Sequence, residues 1–96
     1  SSDVCSSDLA TICLKGDAYV ELGDYKSAIK EFLRAADTQN DLVAPRSLKK
    51  AGLAYEALGE YDKAVDVYTE IKDIYFSSME AGDIDKYIER AKALDK

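Results

Sequence analysis

The chain has 96 residues, 47% hydrophobic and 33% charged, with five Gly and one Pro, a make-up that suits one small, mainly helical domain around a single core. Its formal charge of −6 works against non-specific binding to nucleic acid or anionic lipid, both of which require a basic surface. No stretch approaches the roughly 18 consecutive apolar residues of a membrane span.

The opening Ser1 to Asp8 repeats the triplet Ser-Ser-Asp and shows neither helical nor strand periodicity, so residues 1–8 are expected to form a disordered tail. This string also resembles a translated sequencing-adapter remnant. The alternative is a polar cap in which Ser7 or Asp8 opens the first helix. From Leu9 onward, small or apolar positions recur three or four apart at Ile12, Gly16 and Tyr19, which predicts a helix over 9–22. Gly23 follows, free to adopt the left-handed backbone that ends a helix. Asp24 then stands at the start of a second helix, 25–38, where negative charge suits the helix dipole. That helix carries Ala28, Ile29 and Phe32 on one side.

After the polar stretch Asp37 to Asp41, Pro45 sits where the first turn of a helix tolerates it, and Leu48, Gly52 and Tyr55 continue a third helix over 45–58. Gly59 and Glu60 restate Gly23 and Asp24, and Ala64, Val65 and Tyr68 lie on a fourth helix, 61–75. A fifth helix is expected over 78–94, with Ile84, Tyr87, Ile88, Ala91 and Leu94 on one face and charged residues on the other, the pattern of a helix packed on one side only. Two starts are open for it: a capping box of Ser77 with Glu80, which is preferred, or a later cap at Asp83.

The first and second halves are copies. The segment from Gly16 to Ala28 recurs from Gly52 to Ala64 at an offset of 36 residues, which also relates Tyr19 to Tyr55, Leu22 to Leu58, Gly23 to Gly59, Tyr25 to Tyr61 and Phe32 to Tyr68. Such self-similarity marks a repeat architecture. Gly16, Tyr19, Ala28 and Phe32, with Gly52, Tyr55, Ala64 and Tyr68, make the chain resemble the tetratricopeptide-repeat family, whose pattern runs Trp, Leu, Gly, Tyr, Ala, Phe, Pro. Here the Trp position holds Ile12 or Leu48, the next Leu position Lys15 or Ala51, and the closing Pro position Asn40 or Phe76. The period is two residues longer than the usual 34, and the extra residues fall in the 37–41 stretch.

The resemblance implies an all-α fold of antiparallel helical hairpins stacked as a short solenoid, with a C-terminal capping helix. The expected division is a tail at 1–8, one repeat at 9–42, a second at 43–78 and the cap at 79–96. Small Gly16, Ala28, Gly52 and Ala64 are expected at tight helix contacts, and Tyr19, Tyr25, Tyr55, Tyr61 and Tyr68 in the core.

Chemistry is not expected. His is absent, Cys5 and Cys13 have no redox or zinc spacing, and no nucleophile has a basic partner nearby in sequence, so neither a metal nor another cofactor is indicated. Asp62 and Asp66 share a helix face at a spacing typical of solvated charge. The resemblance implies instead a concave groove lined by the first helix of each hairpin. In the family register these positions are Ala10, Cys13, Leu14, Asp17, Val20 and Glu21, then Arg46, Lys49, Lys50, Leu53, Glu56 and Ala57. The chief candidates for peptide binding are Cys13, Asp17, Glu21, Arg46, Lys49, Lys50, Leu53 and Glu56.

Arg46, Lys49 and Lys50 form the densest positive cluster in an acidic chain. Arg46 with Lys50 resembles the basic pair by which some family members grip a peptide carboxylate, although Leu14 and Leu53 replace the Asn residues of that clamp. The expected partner is a protein or peptide, with an acidic segment favoured. For the trio alone, a solvated helix start is the alternative. For the whole chain, the alternative is a structural cap of a longer solenoid, or self-association through the open N-terminal face. The closing segments also resemble the ends of bacterial envelope proteins that carry such repeats, which leaves the compartment open.

Overall fold

A computed structural model describes residues 8–37 and 43–95, and for residues 8–14 the backbone alone. Among the described residues there are five α-helices and no strands: α1 (Asp8–Leu22), α2 (Tyr25–Ala36), α3 (Ala44–Leu58), α4 (Tyr61–Ile74) and α5 (Ile84–Leu94), with a 3₁₀ turn at Glu80–Asp83 before the last. Each helix packs closely against the next in chain order, so α1 and α2 form one hairpin, α3 and α4 a second, and α5 closes the stack.

The two hairpin turns are built alike. Gly23 and Gly59 both take φ of 82°. The Gly23 amide donates to the Val20 carbonyl at 3.0 Å and the Asp24 amide to that of Tyr19 at 2.8 Å. Gly59 and Glu60 repeat the pattern on Glu56 and Tyr55 at 3.0 and 2.9 Å. Left-handed glycine thus satisfies the last carbonyls of α1 and α3 and reverses the chain within two residues. Asp24 also accepts from the Ser27 amide at 3.3 Å and caps α2, whereas Glu60 makes no side-chain cap on α4. Pro45 lies in the first turn of α3, fully buried.

Packing follows the small-against-large rule expected from the repeat. Gly16 is buried against the ring of Phe32, and Gly52 against that of Tyr68. A methyl group on Gly16 would stand 2.7 Å from Phe32 Cδ1, and one on Gly52 2.7 Å from Tyr68 Cζ, so only hydrogen fits. Ala28 and Ala64 are fully buried. The larger core gathers Leu48, Tyr68, Ile71, Ile84 and Ile88 between the second hairpin and α5, and a smaller one joins Ala28, Phe32 and Ala51 between the hairpins. Of the five tyrosines assigned to the core, Tyr68 is fully buried and the others half-buried.

The end of the chain departs from expectation. The fifth helix does not begin at 78. Ser78, rather than Ser77, supplies the hydroxyl, accepting from the Ala81 amide at 3.2 Å, and the Gly82 amide donates to the Met79 carbonyl at 3.1 Å. These three-residue spacings make a 3₁₀ turn. Gly82, a poor helix former, lies within it, and α-helical geometry starts only at Ile84, which is fully buried. Asp83 holds the preceding position without a side-chain cap. Asp8, placed in the tail from sequence, is the first residue of α1. The rest of the tail and most of the longer inter-hairpin stretch lie outside the described residues.

Candidate functional site

Close packing runs between sequential helices, whereas α1 with α3 and α3 with α5 approach less closely and are spanned by long side chains. The α1/α3 junction contains a cavity of about 350 Å³. Its apolar walls are Val20 of α1, Tyr25 and Phe32 of α2, and Leu53, Ala54 and Ala57 of α3, with Asp17 and Lys50 at its edge. Lys50 Nζ donates to Asp17 Oδ1 and Oδ2 at 2.9 and 3.0 Å, and stands 5.8 Å from the centroid of the Phe32 ring. Leu53 is 42% exposed, so the cavity opens on an apolar side chain rather than a sealed core.

The α3/α5 junction is polar. Glu56 accepts from the Tyr68 hydroxyl at 2.5 Å and from Arg90 Nε and Nη2 at 3.2 and 3.0 Å, a fork that charge assistance strengthens. Its side chain is only 11% exposed. Burial, then the bond to Glu56, pushes the Tyr68 hydroxyl well above the usual tyrosine range, and the same carboxylate raises Arg90. The Tyr87 ring lies 5.6 Å from that of Tyr68 and carries two cations, Lys49 Nζ at 4.5 Å and the Arg90 guanidinium at 5.0 Å. On the far side of α5, Asp85 pairs with Lys72 of α4 at 2.9 Å.

The candidates chosen from sequence are thereby divided. Asp17, Lys50 and Leu53 meet at the cavity. Glu56 is held in the internal network with Tyr68 and Arg90, and Lys49 lies over Tyr87. Arg46 and Glu21 are exposed on α3 and α1, while Cys13 lies on α1 with its side chain outside the described residues. Sequence reasoning overlooked Tyr25, Phe32 and Ala54 as cavity walls, and Tyr87 with Arg90 as partners of α3. Carrying the 36-residue offset into the last helix finds the latter, since Ile84 takes the place of Leu48 and Ile88 that of Gly52.

A larger cavity, about 500 Å³, lies between Leu33, Ala36, Leu48, Ile74 and Tyr75, toward the ends of α2 and α4. Asp37 and Glu70 lie on its rim, away from the α1/α3 face on which the residues chosen from sequence meet. Among the described residues no group of three His, Cys, Asp or Glu is arranged to hold a metal ion, and no helix is long and apolar enough to cross a membrane.

The family model for the tetratricopeptide repeat matches residues 13–75. A TPR repeat-containing protein of Methanocaldococcus jannaschii is 30% identical over 80 residues, covering 83% of this chain and 14% of that protein. The chain therefore spans about a seventh of the length of this relative. No solved structure matches the chain significantly.

Proposed function

The chain belongs to the tetratricopeptide-repeat family, and from that membership we propose that it is a scaffold, without catalysis of its own, that receives a peptide or partner helix in the groove between α1 and α3. Repeats of this family mediate protein–protein interaction. The observation that carries the finer reading is the α1/α3 cavity, whose apolar walls and paired charged edge match the usual make-up of a recognition pocket, apolar area for affinity and a few polar groups for orientation. An acidic partner segment is favoured by Arg46 and Lys49, which add positive charge on α3 beyond the neutralised Asp17–Lys50 pair. Charge at such a rim governs association rate and salt sensitivity more than total affinity.

The experiment is selection of peptides from a random display library on the whole chain, followed by anisotropy titration of a selected peptide. Leu53→Asp places an unpaired carboxylate at the cavity mouth. Because Leu53 is half-exposed, the fold is expected to survive while affinity falls about tenfold or more, the effect of roughly 1.4 kcal/mol. Unchanged affinity would place recognition elsewhere.

A further inference from the structure

The two junctions of the groove are built on equivalent positions but finished in opposite ways. At the 36-residue offset, Val20, Phe32 and Ala54 correspond to Glu56, Tyr68 and Arg90. The first three are walls of the α1/α3 cavity. The second three bond to one another, Tyr68 to Glu56 at 2.5 Å and Arg90 to Glu56 at 3.0 and 3.2 Å. Ala51, fully buried, likewise corresponds to Tyr87, whose ring lies against both Tyr68 and Arg90. Side chains of the chain itself therefore span, at the second junction, the space that is open at the first.

Building on the groove reading, we infer that Arg90 is a specificity-determining residue that plugs the α3/α5 junction, so that among the described residues the groove keeps its socket at α1/α3, for an aliphatic side chain of an extended partner peptide. The chemistry of the occupant follows from the walls. Arg90 is accommodated at the second junction because Glu56 is there to receive it. At the first, Val20 replaces that carboxylate and Ala54 replaces the arginine. The nearest charges, Asp17 and Lys50, already satisfy each other at 2.9 Å. A charged side chain entering this socket loses hydration without gaining a partner, whereas an aliphatic one exchanges water for Val20, Phe32, Leu53 and Ala57.

The test uses N-acetyl-leucinamide as probe, titrated to tens of millimolar into the uniformly labelled whole chain and followed by amide NMR shifts. In the wild type, shifts are expected around Val20, Leu53, Ala54 and Ala57, with none above background around Glu56, Arg90 and Ala93; N-acetyl-lysinamide is expected to produce neither set. Glu56→Val with Tyr68→Phe and Arg90→Ala gives the second junction the Val20, Phe32 and Ala54 of the first, with Tyr87 and Glu89 left in place, and is expected to add the second set. The single change Arg90→Ala, at a half-exposed position, serves if the triple variant does not fold, and is expected to add the same set at reduced amplitude. Leucinamide shifts at both junctions of the wild type, or no new set in the folded variant, overturn the inference. Should the wild type show neither set while a library-selected peptide still maps to α1 and α3, the inference falls and the groove reading stands. If that peptide maps elsewhere, both fall.

Discussion

Replacing Gly52 by Ala puts the stacking geometry under its most direct strain. The added methyl would lie 2.7 Å from Tyr68 Cζ and nearer still to Cε1, well inside ordinary contact. The ring has little room to retreat, because Tyr68 is fully buried, its hydroxyl is held by Glu56 at 2.5 Å and its centroid lies 5.6 Å from that of the tilted Tyr87 ring. Overpacking of this kind costs about 1–3 kcal/mol, and moving the ring also weakens a buried hydrogen bond worth about 1 kcal/mol. Against this, Ala is the better helix former by roughly 1 kcal/mol. A net loss of about 1–3 kcal/mol is expected, which for a domain of this size lowers Tm by roughly 5–25 °C. Gly16→Ala meets Phe32 in the same way but disturbs no hydroxyl, so its loss should be smaller. Gly82→Ala, with nothing within 4 Å of the new methyl, is the control, expected within about 0.5 kcal/mol of wild type. Thermal and urea melts of the three variants decide the matter. A Gly52→Ala protein as stable as wild type would show that the aromatic ring is not wedged against the helix.

Three further outcomes follow from the α3/α5 network and the basic cluster. Glu56→Ala leaves the Tyr68 hydroxyl without its acceptor and should cost about 1–3 kcal/mol in urea denaturation; adding Tyr68→Phe should recover much of it, and equal losses in the two backgrounds would refute the coupling. Because the folded-state pKa of Tyr68 is raised, first by burial and then by Glu56, the folded form holds its proton more tightly than the unfolded chain. Stability from this group is fully present below the unfolded tyrosine value near 10 and is lost as pH rises above it, so Tyr68→Phe should flatten the alkaline limb of a Tm-against-pH curve. Finally, replacing Arg46, Lys49 and Lys50 together by Ser should slow capture of an acidic library-selected peptide at low salt, and stopped-flow rates with an unaltered salt dependence would reduce the cluster to solvation.

The hairpins were legible because their determinants are local. Gly23 and Gly59 announce left-handed turns through residue type alone, and Gly16 with Phe32 lies in a repeat whose second copy checks the first. The beginning of the last helix was harder to read. Ser77 and Glu80 have capping-box spacing, yet that spacing describes only a possible pair of bonds. Burial of Ile84 against α4 and the presence of Gly82 determine where α-helical geometry starts, and burial is a tertiary fact. Glu56 shows the same limit at the site. Its position in the register assigns it to the groove, but the residue that engages it, Arg90, lies 34 positions away on a helix outside the two aligned copies.

The basic cluster shows how stagger between helices converts a linear feature into a different one. Arg46, Lys49 and Lys50 share one face of α3 by the three-and-four spacing rule, and along the chain they form a single positive patch. In three dimensions α3 lies between two neighbours, and the patch is shared between them. Lys50 reaches back to Asp17 on α1, Lys49 reaches forward to Tyr87 on α5, and Arg46 remains exposed. The stagger that sets Asp17 opposite Lys50 sets Leu53 opposite Lys86 one repeat on, so no equivalent ion pair forms from those positions at the second junction. There, the link to α3 comes from Glu56 and Arg90 instead. The Asp17–Lys50 pair stands beside an open cavity, whereas Glu56 takes both Arg90 and the hydroxyl of the buried Tyr68, and this difference in partners, more than net charge, distinguishes the two halves of the groove.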